Sequence, residues 1–393
     1  MKKLRVGLIG CGVISDIYLK TCQKFEILDV VACASLDMEE SQAKANTYNI
    51  PKVCSPDELI SDSEIDCVLN LTIPAVHADI SLAALEAGKH VYSEKPFATC
   101  IEDGKKILTL AKSKGLYVGN APDTFLGGRM QTCRKLIEEG VIGEPTAVSA
   151  FVGTHGVERH HPNPDFYYRT GGGPLLDLGP YYLTAMISLL GPVKRSCGFS
   201  KRTFDERLIE SQPRKGEFVK VEVDTHVSGS LEFSNGVIGT LMTSFDIWDS
   251  QLPRLEIYGK DGTLCIPDPN PVDGTNIFGG EVYYKTRETA RWTYRPLVQG
   301  LDDWEAAENT HGYNEDSRGL GLADMAYAVR DKRPHRANGE MAYHVFEIMM
   351  GVLESSKTGE YSVLESTCDM PSPLPENFPL SEDQKIQLKQ MSS

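Results

Sequence analysis

The sequence predicts an α/β protein of two domains, a doubly wound parallel sheet over residues 1–124 and a mainly antiparallel α/β domain over residues 125–393. Three observations carry that prediction. Short apolar strand-like runs alternate with helical patterns as far as residue 120, which is the signature of βαβ units. A glycine-rich turn, Gly10-Cys11-Gly12-Val13-Ile14-Ser15, joins the first strand to the first helix. Beyond residue 145 the rhythm changes to long runs at strand period, broken by Asn-Gly and Asp-Gly turns that favour tight hairpins. A length of 393 residues suits two domains at roughly 150 residues each.

In chain order, Leu4–Ile9 reads as a strand, Val13–Lys24 as a helix and Leu28–Ala34 as a second strand. Asp37–Tyr48 follows as a helix, with Ser35 or Asp37 at its N-cap and Pro51 stopping it. Cys67–Ile73 is a strand, His77–Ala87 a helix closed by Gly88, and His90–Ser93 a strand. Ile101–Lys114 is a helix closed by Gly115, and Leu116–Gly119 the last strand of the first domain. The second domain starts with a helix over Arg129–Glu139. Strands are expected over Thr146–Gly153, Glu217–Phe233, Gly236–Trp248, Arg254–Tyr258 and Thr263–Pro267. Residues 268–312 read as loops and edge strands, and helices return over Tyr313–Arg330 and Glu340–Ser355.

Composition narrows the function classes. Forty basic against 55 acidic residues give a formal charge of −15, so the average surface repels nucleic-acid phosphates and anionic lipid. No nucleic-acid or membrane partner is expected. The N-terminal apolar run is short and broken by glycine, which suits a first strand and not an export signal. Ten cysteines without paired close spacing read as reduced, cytoplasmic thiols, most of them small core hydrophobes.

The turn at 10–15 follows a strand and opens a helix. There Gly10 permits a tight turn and Gly12 lets the backbone approach a pyrophosphate, which the N–H groups around Val13 and Ile14 can meet. This predicts a Rossmann dinucleotide-binding domain. An acid at the end of the second strand would favour NAD through the ribose hydroxyls, but Ser35 stands there, with Asp37 two residues on. Asp37 has two readings, ribose contact and helix N-cap. NADP stays open, with a lean to NAD because no basic residue is placed to hold an extra phosphate.

Ser93-Glu94-Lys95-Pro96 ends a strand at the carboxyl edge of the sheet, where open α/β folds bind ligands. Pro96 keeps Lys95 extended, so its amine can project into the cleft. A lysine with a lowered pKa could relay a substrate proton there; taken alone, a lysine after a strand is ordinarily a solvated residue. Gly171-Gly172-Gly173-Pro174 leads into an apolar helix in which Asp177 and Tyr181 stand four residues apart, on one face. They form either a carboxylate–phenol pair for a hydroxyl, or an N-cap and a core tyrosine. His155, His160 and His161 with Asp165 fit no zinc spacing, and no metal is expected. They read instead as a substrate-facing loop, with His155 and Arg169 available to substrate hydroxyls. His344 reads as packing.

The Gly10–Ser15 turn, the Pro74-x-x-His77 step, Glu94-Lys95-Pro96 and the Gly171–Tyr182 segment, in this order, resemble the Gfo/Idh/MocA family of sugar and polyol oxidoreductases. The resemblance implies a second domain whose open sheet supports the substrate site and a homo-oligomer, dimer or tetramer. It implies cofactor contacts at Thr72, Ile73, Pro74, His77, Glu94, Lys95 and Asn120, beside those at Gly10, Gly12, Val13, Ile14, Ser35 and Asp37. The family's catalytic lysine falls on Lys95 and its motif aspartate on Asp177. Many members carry histidine four residues later, where this chain has Tyr181, as in the glucose-fructose oxidoreductase branch. A phenol is a poorer base than imidazole at neutral pH, so Lys95 is the first choice of base. The expected function is NAD(P)-dependent oxidation of a secondary hydroxyl on a sugar, glycoside or cyclitol. Two alternatives are a redox-neutral NAD-dependent glycosidase and a non-catalytic cofactor-binding regulator.

Overall fold

The computed structural model describes residues 2–267, 277–290, 301 and 303–379. The N-terminal half builds one sheet from β1 (Leu4–Ile9), β2 (Leu28–Ala34), β3 (Lys52–Val53), β4 (Cys67–Asn70), β5 (His90–Ser93) and β6 (Val118–Asn120). All neighbours are parallel and the order is β3-β2-β1-β4-β5-β6, so the chain switches direction between β1 and β4. Crossing segments carry α1 (Ser15–Cys22), α2 (Met38–Tyr48), α3 (Pro56–Ser61), α4 (His77–Glu86) and α5 (Ile101–Lys114). The core strands are mostly apolar runs because both sheet faces are covered: Val6, Leu8, Val68, Leu69, Val91 and Tyr92 are buried.

The second half begins with α6 (Gly128–Glu138) and β7 (Pro145–Gly153). There follow α7 (Asp165–Tyr168), α8 (Pro174–Leu190), β8 (Val193–Lys201) and a two-stranded ribbon of β9 (Glu206–Leu208) and β10 (Phe218–Lys220). Next come β11 (His226–Phe233), β12 (Ile238–Ser244), β13 (Leu255–Gly259), β14 (Gly262–Ile266), β15 (Val282–Thr286) and β16 (Glu305–Ala307). The chain closes with α9 (Leu320–Asp331), α10 (Gly339–Thr358) and β17 (Ser362–Val363). The second sheet runs β16-β15-β14-β13-β7-β12-β11-β8-β17 and is antiparallel except where β12 pairs with β7. Helices α8 and α10 cover one face, while Phe199 and Ile238 stay exposed on strands of the other. Helix α9 packs on β6 and α1, so the C-terminal segment returns to the parallel-sheet domain.

Several sequence expectations are corrected. The run Glu217–Phe233 is two strands in different sheets, β10 and β11, with the chain turning between them. The strand from Cys67 ends at Asn70, whose side-chain oxygen accepts from both the backbone and the hydroxyl of Thr72 and turns the chain. The helix expected from Tyr313 starts at Leu320, because Tyr313 and Gly319 both have positive φ. Strands β3, β8, β9 and β17 and helices α3 and α7 lay outside the prediction, while β15 and β16 fall in the stretch read as loops and edge strands and lie at one edge of the second sheet. Of the expected loop stretch, 268–276, 291–300 and 302 lie outside the described residues. Among the described residues no helix is long and apolar enough to cross a membrane.

Candidate active site

The cleft lies at the carboxyl edge of the parallel sheet, beside the switch between β1 and β4. Strand β5 ends there and hands the chain to Glu94, Lys95 and Pro96. The buried Glu94 carboxylate accepts from the Tyr18 hydroxyl at 2.7 Å and from the Lys95 N–H at 2.9 Å. Asn120 donates to the carbonyl oxygens of Ser93 and Glu94, each at 3.0 Å. The turn is therefore held from two sides, and the Lys95 side chain reaches across to the second domain.

What it meets there depends on the glycine run. Gly171 and Gly173 have φ of +88° and +91°, and a Cβ on Gly172 would lie 2.5 Å from the carbonyl oxygens of Phe166 and Tyr167. Only glycine lets the chain fold back so tightly, and Pro174 then starts α8 at its first position. Gly173 is the N-cap, so Asp177 is not. Asp177 sits in the first turn with Tyr181 one turn further on. Lys95 Nζ donates to Asp177 Oδ1 at 2.6 Å and to the Asp177 carbonyl at 3.0 Å, and lies 5.3 Å from the Tyr181 ring centroid.

Burial works against the ammonium of Lys95. The Asp177 carboxylate, with Tyr181, Tyr167 and Glu94, outweighs it and lifts Lys95 well above the ordinary lysine range. This is opposite to the lowered value that a base at neutral pH requires, so the surroundings favour Lys95 as a cation over the base expected from sequence. Of its three donors two go to Asp177, which leaves one N–H for a substrate oxygen.

Two further side chains complete the cluster without any motif having marked them. Tyr167, on α7, is half-buried; burial and then the Asp177 carboxylate push its phenol up, against the opposing pull of Lys95. Arg318, ahead of α9, donates from Nη2 to Tyr181 Oη at 3.4 Å. The segment bearing Arg318 is fastened to the first domain by Asp123, whose Oδ2 accepts from the N–H groups of Gly319 at 2.9 Å and Gly321 at 2.8 Å.

Asp123 is wholly buried, and burial pushes its carboxyl up to about 6 although those two N–H groups and Arg318 pull it down. The folded-state value thus exceeds the ordinary 3.8, and ionising Asp123 costs the fold roughly 3 kcal/mol, incurred as pH rises from 3.8 to about 6. Asp123→Asn keeps an acceptor oxygen and removes that charge. Its stability relative to wild type is expected to improve across that interval, read as urea midpoints from pH 4 to 7. A difference that does not change with pH would overturn the buried-charge account.

The remaining residues frame a groove for a dinucleotide. Gly10 has φ +100° and is packed against the Leu71 backbone, whereas a Cβ on Gly12 would meet nothing within 4 Å. The N-terminus of α1 has no side-chain cap, and the Ser15 and Asp16 N–H groups turn back to the Gly12 and Val13 carbonyls at 3.0 and 3.4 Å, so an anion would meet the N–H groups just ahead of them. Val13, Leu36 and Ile73 are 84%, 98% and 56% exposed after β1, β2 and β4, an apolar lining that a nucleotide would cover. These features fit NAD. Pro74 opens a 3-10 turn between Ile73 and α4, and the Thr72 hydroxyl donates to Asn70 at 2.6 Å. Ser35 donates to Glu40 at 3.1 Å, which sets a carboxylate from the first turn of α2 beside the end of β2, a group the sequence reading did not name. Asp37 Oδ1 caps α2, accepting from the N–H groups of Glu39 and Glu40.

Some expected contacts are replaced by positioning. His77 is 1% exposed, and its Nδ1 and Nε2 face the Pro96 and Thr72 carbonyls at 3.0 and 2.8 Å. It ties the two cleft loops together and does not enter the groove. Asn120, whose amide holds Ser93 and Glu94, acts likewise. His155 stacks on Trp248 with ring centroids 3.3 Å apart, beside a buried network in which Arg207 pairs with Glu158 and Asp246 at 2.8 Å each. Arg169 is exposed and pairs with Asp165 at 3.4 Å. Neither residue shares a hydrogen bond, ion pair or ring contact with the Lys95 cluster among the described residues. His161 packs edge-on against Phe166 and Tyr167.

Comparison with known proteins identifies both parts of the chain. Residues 4–121 match a model described as "Oxidoreductase family, NAD-binding Rossmann fold", and residues 130–265 match the GFO/IDH/MocA C-terminal domain. The chain is 34% identical over 197 residues to dTDP-3,4-didehydro-2,6-dideoxy-alpha-D-glucose 3-reductase of Saccharopolyspora spinosa. That alignment covers 49% of this chain and 58% of the relative, less than two thirds of its length. It is 26% identical over 274 residues to 1,5-anhydro-D-fructose reductase of Ensifer adhaerens, covering 66% and 74%. Apo levoglucosan dehydrogenase has the same fold, with a TM-score of 0.78 at 20% identity over 94% of this chain and 100% of that one. With one model of a single family on each half, the chain belongs to the Gfo/Idh/MocA oxidoreductases and carries their NAD-binding Rossmann domain.

Proposed function

We propose that this protein interconverts a secondary hydroxyl and a ketone on a sugar, glycoside or cyclitol, with NAD or NADP as hydride carrier. The observation that carries this reading is the meeting of Lys95 from one domain with Asp177 and Tyr181 from the other, at the sheet edge where the dinucleotide groove ends. Bound nicotinamide supplies or takes the hydride, and the protein supplies orientation and proton handling. Gly12 and the N-terminus of α1 would hold the pyrophosphate, Ser35 and Glu40 the adenosine ribose, and Ile73 the nicotinamide half.

Lys95, held as an ammonium by Asp177, presents its remaining N–H to the substrate oxygen and stabilises negative charge there. Tyr181 exchanges the proton with that oxygen, and Asp177 fixes the direction of the Lys95 amine. An ammonium ready to meet a developing alkoxide suits ketone reduction, and the two relatives named above at 26% and 34% identity are both sugar reductases. The test is a panel of keto-sugars, sugars, glycosides and inositols assayed with NADH, NADPH and their oxidised forms on the purified chain. Net change of reduced nicotinamide with at least one sugar is expected. Release of an aglycone without net redox change would turn the reading into a redox-neutral glycosidase, and inertness toward the whole panel would sink it.

A further inference from the structure

Arg318 reaches the cleft from a segment that neither the glycine turn nor the Lys95 and Asp177 motifs include. Its Nη2 donates to the Tyr181 phenol oxygen at 3.4 Å, and its guanidinium carbon is 6.0 Å from the ring centroid. It also forms an ion pair with Asp316, two residues before it. Burial opposes its charge, but the Tyr181 oxygen, Asp316 and Glu94 outweigh burial and keep the guanidinium a fixed cation. Its aim is not accidental. Gly319, at φ +102°, bends the chain directly after it, and the N–H groups of Gly319 and Gly321 are both held by buried Asp123. The first domain thus fastens a C-terminal segment that delivers a cation to a phenol of the second domain, 137 residues away in sequence.

We propose that Arg318 is a positioning residue that makes Tyr181 competent to exchange a proton with the substrate oxygen. The proposal rests on the oxidoreductase reading given above and goes beyond it. By donating to the phenol oxygen, Arg318 occupies one lone pair and leaves the phenol proton free to point at the substrate. In reduction, bound nicotinamide would supply the hydride to the carbonyl carbon, and the protein supplies the proton. The Tyr181 O–H bond breaks as an O–H bond forms on the substrate oxygen, and the guanidinium meets the charge left on the phenol. Water then returns a proton to Tyr181; oxidation runs the same steps backwards. The charged and titratable groups around this phenol are Lys95 and Glu94 from the β5 turn, Tyr167 from α7, Asp177 from its own helix and Arg318. Arg318 alone among the described residues donates a hydrogen bond to the phenol oxygen.

The test compares wild type, Arg318→Met, Arg318→Lys, Tyr181→Phe and the Arg318→Met/Tyr181→Phe double variant, each checked for NADH binding and thermal unfolding. The ring Cζ resonance of Tyr181 in carbon-13-labelled protein, identified by its loss in Tyr181→Phe, reports the hydrogen bond to the phenol oxygen and needs no substrate. It is expected to move in Arg318→Met and to move less in Arg318→Lys. On a substrate found in the panel, kcat of Arg318→Met falls by roughly 10²-fold with KM within about threefold, and the loss disappears in the Tyr181→Phe background. An unmoved Tyr181 resonance, or equal losses in both backgrounds, overturns the proposal. If wild type turns over no sugar, the proposed function fails while the resonance still decides whether Arg318 holds Tyr181. If Arg318→Met does not fold, Arg318→Lys carries the decision, and a Tyr181 resonance and kcat both unchanged in that folded variant overturn the proposal.

Discussion

Lys95→Met is expected to lower kcat by about 10³-fold while NADH affinity stays within about threefold of wild type. Methionine matches the length and apolar stem of lysine, so what is lost is the ammonium and its free N–H. The developing alkoxide then has no cation beside it. Asp177 also loses its partner: the two side chains are 17% and 16% exposed, so a carboxylate is left uncompensated in a mostly dry place. That loss costs the fold up to about 3 kcal/mol, and Lys95→Met/Asp177→Asn is expected to recover most of it without recovering activity. Steady-state kinetics, NADH titration and urea unfolding on the three proteins check both parts. A single variant with near wild-type kcat would remove Lys95 from the chemistry.

The two glycines of the first turn separate stability from binding. Gly10→Ala places a Cβ 2.6 Å from the Leu71 carbonyl carbon and oxygen, on a residue with φ +100°. Backbone cannot move aside as a flexible side chain can, and the positive φ adds strain. A loss of about 3 kcal/mol or more in unfolding free energy is expected. Gly12→Ala meets nothing within 4 Å and needs no unusual backbone angle, so stability stays within about 0.5 kcal/mol. The space its methyl enters is where a pyrophosphate would approach the backbone, so NAD affinity is expected to fall at least about tenfold. Calorimetric unfolding and nucleotide titration check the pair; a Gly12 variant that binds NAD normally would refute the assigned groove.

How much of this was legible beforehand follows from where each element takes its instructions. The bounds of β1, β2, β5 and α5 agree with the sequence reading to the residue. The strands are mostly apolar runs covered on both faces, and α5 carries an amphipathic pattern ended by Gly115 in the left-handed region. Strand β8, Val-Lys-Arg-Ser-Cys-Gly-Phe-Ser-Lys, escaped because its residues are mostly polar and it owes its place to pairing with β11 and β17. Strands β3 and β17 have two residues each, too few for any period to show.

The same division holds in the cleft. The sequence alone determined a nucleotide-binding turn at Gly10–Ser15, a lysine after β5 and a carboxylate–phenol pair one helical turn apart, because each is a local pattern with a local geometric consequence. Tertiary structure alone decided that Asp177 faces Lys95, that Asp37 caps a helix while Glu40 receives Ser35, that His77 and Asn120 brace loops, and that His155 stands in another cluster. It also brought in Tyr167 and Arg318. The physical reason is that a charge's role is set by what surrounds it after folding. The Lys95 ammonium is supported against the cost of burial chiefly because packing sets a carboxylate from 82 residues away against it, and no window of local sequence contains both.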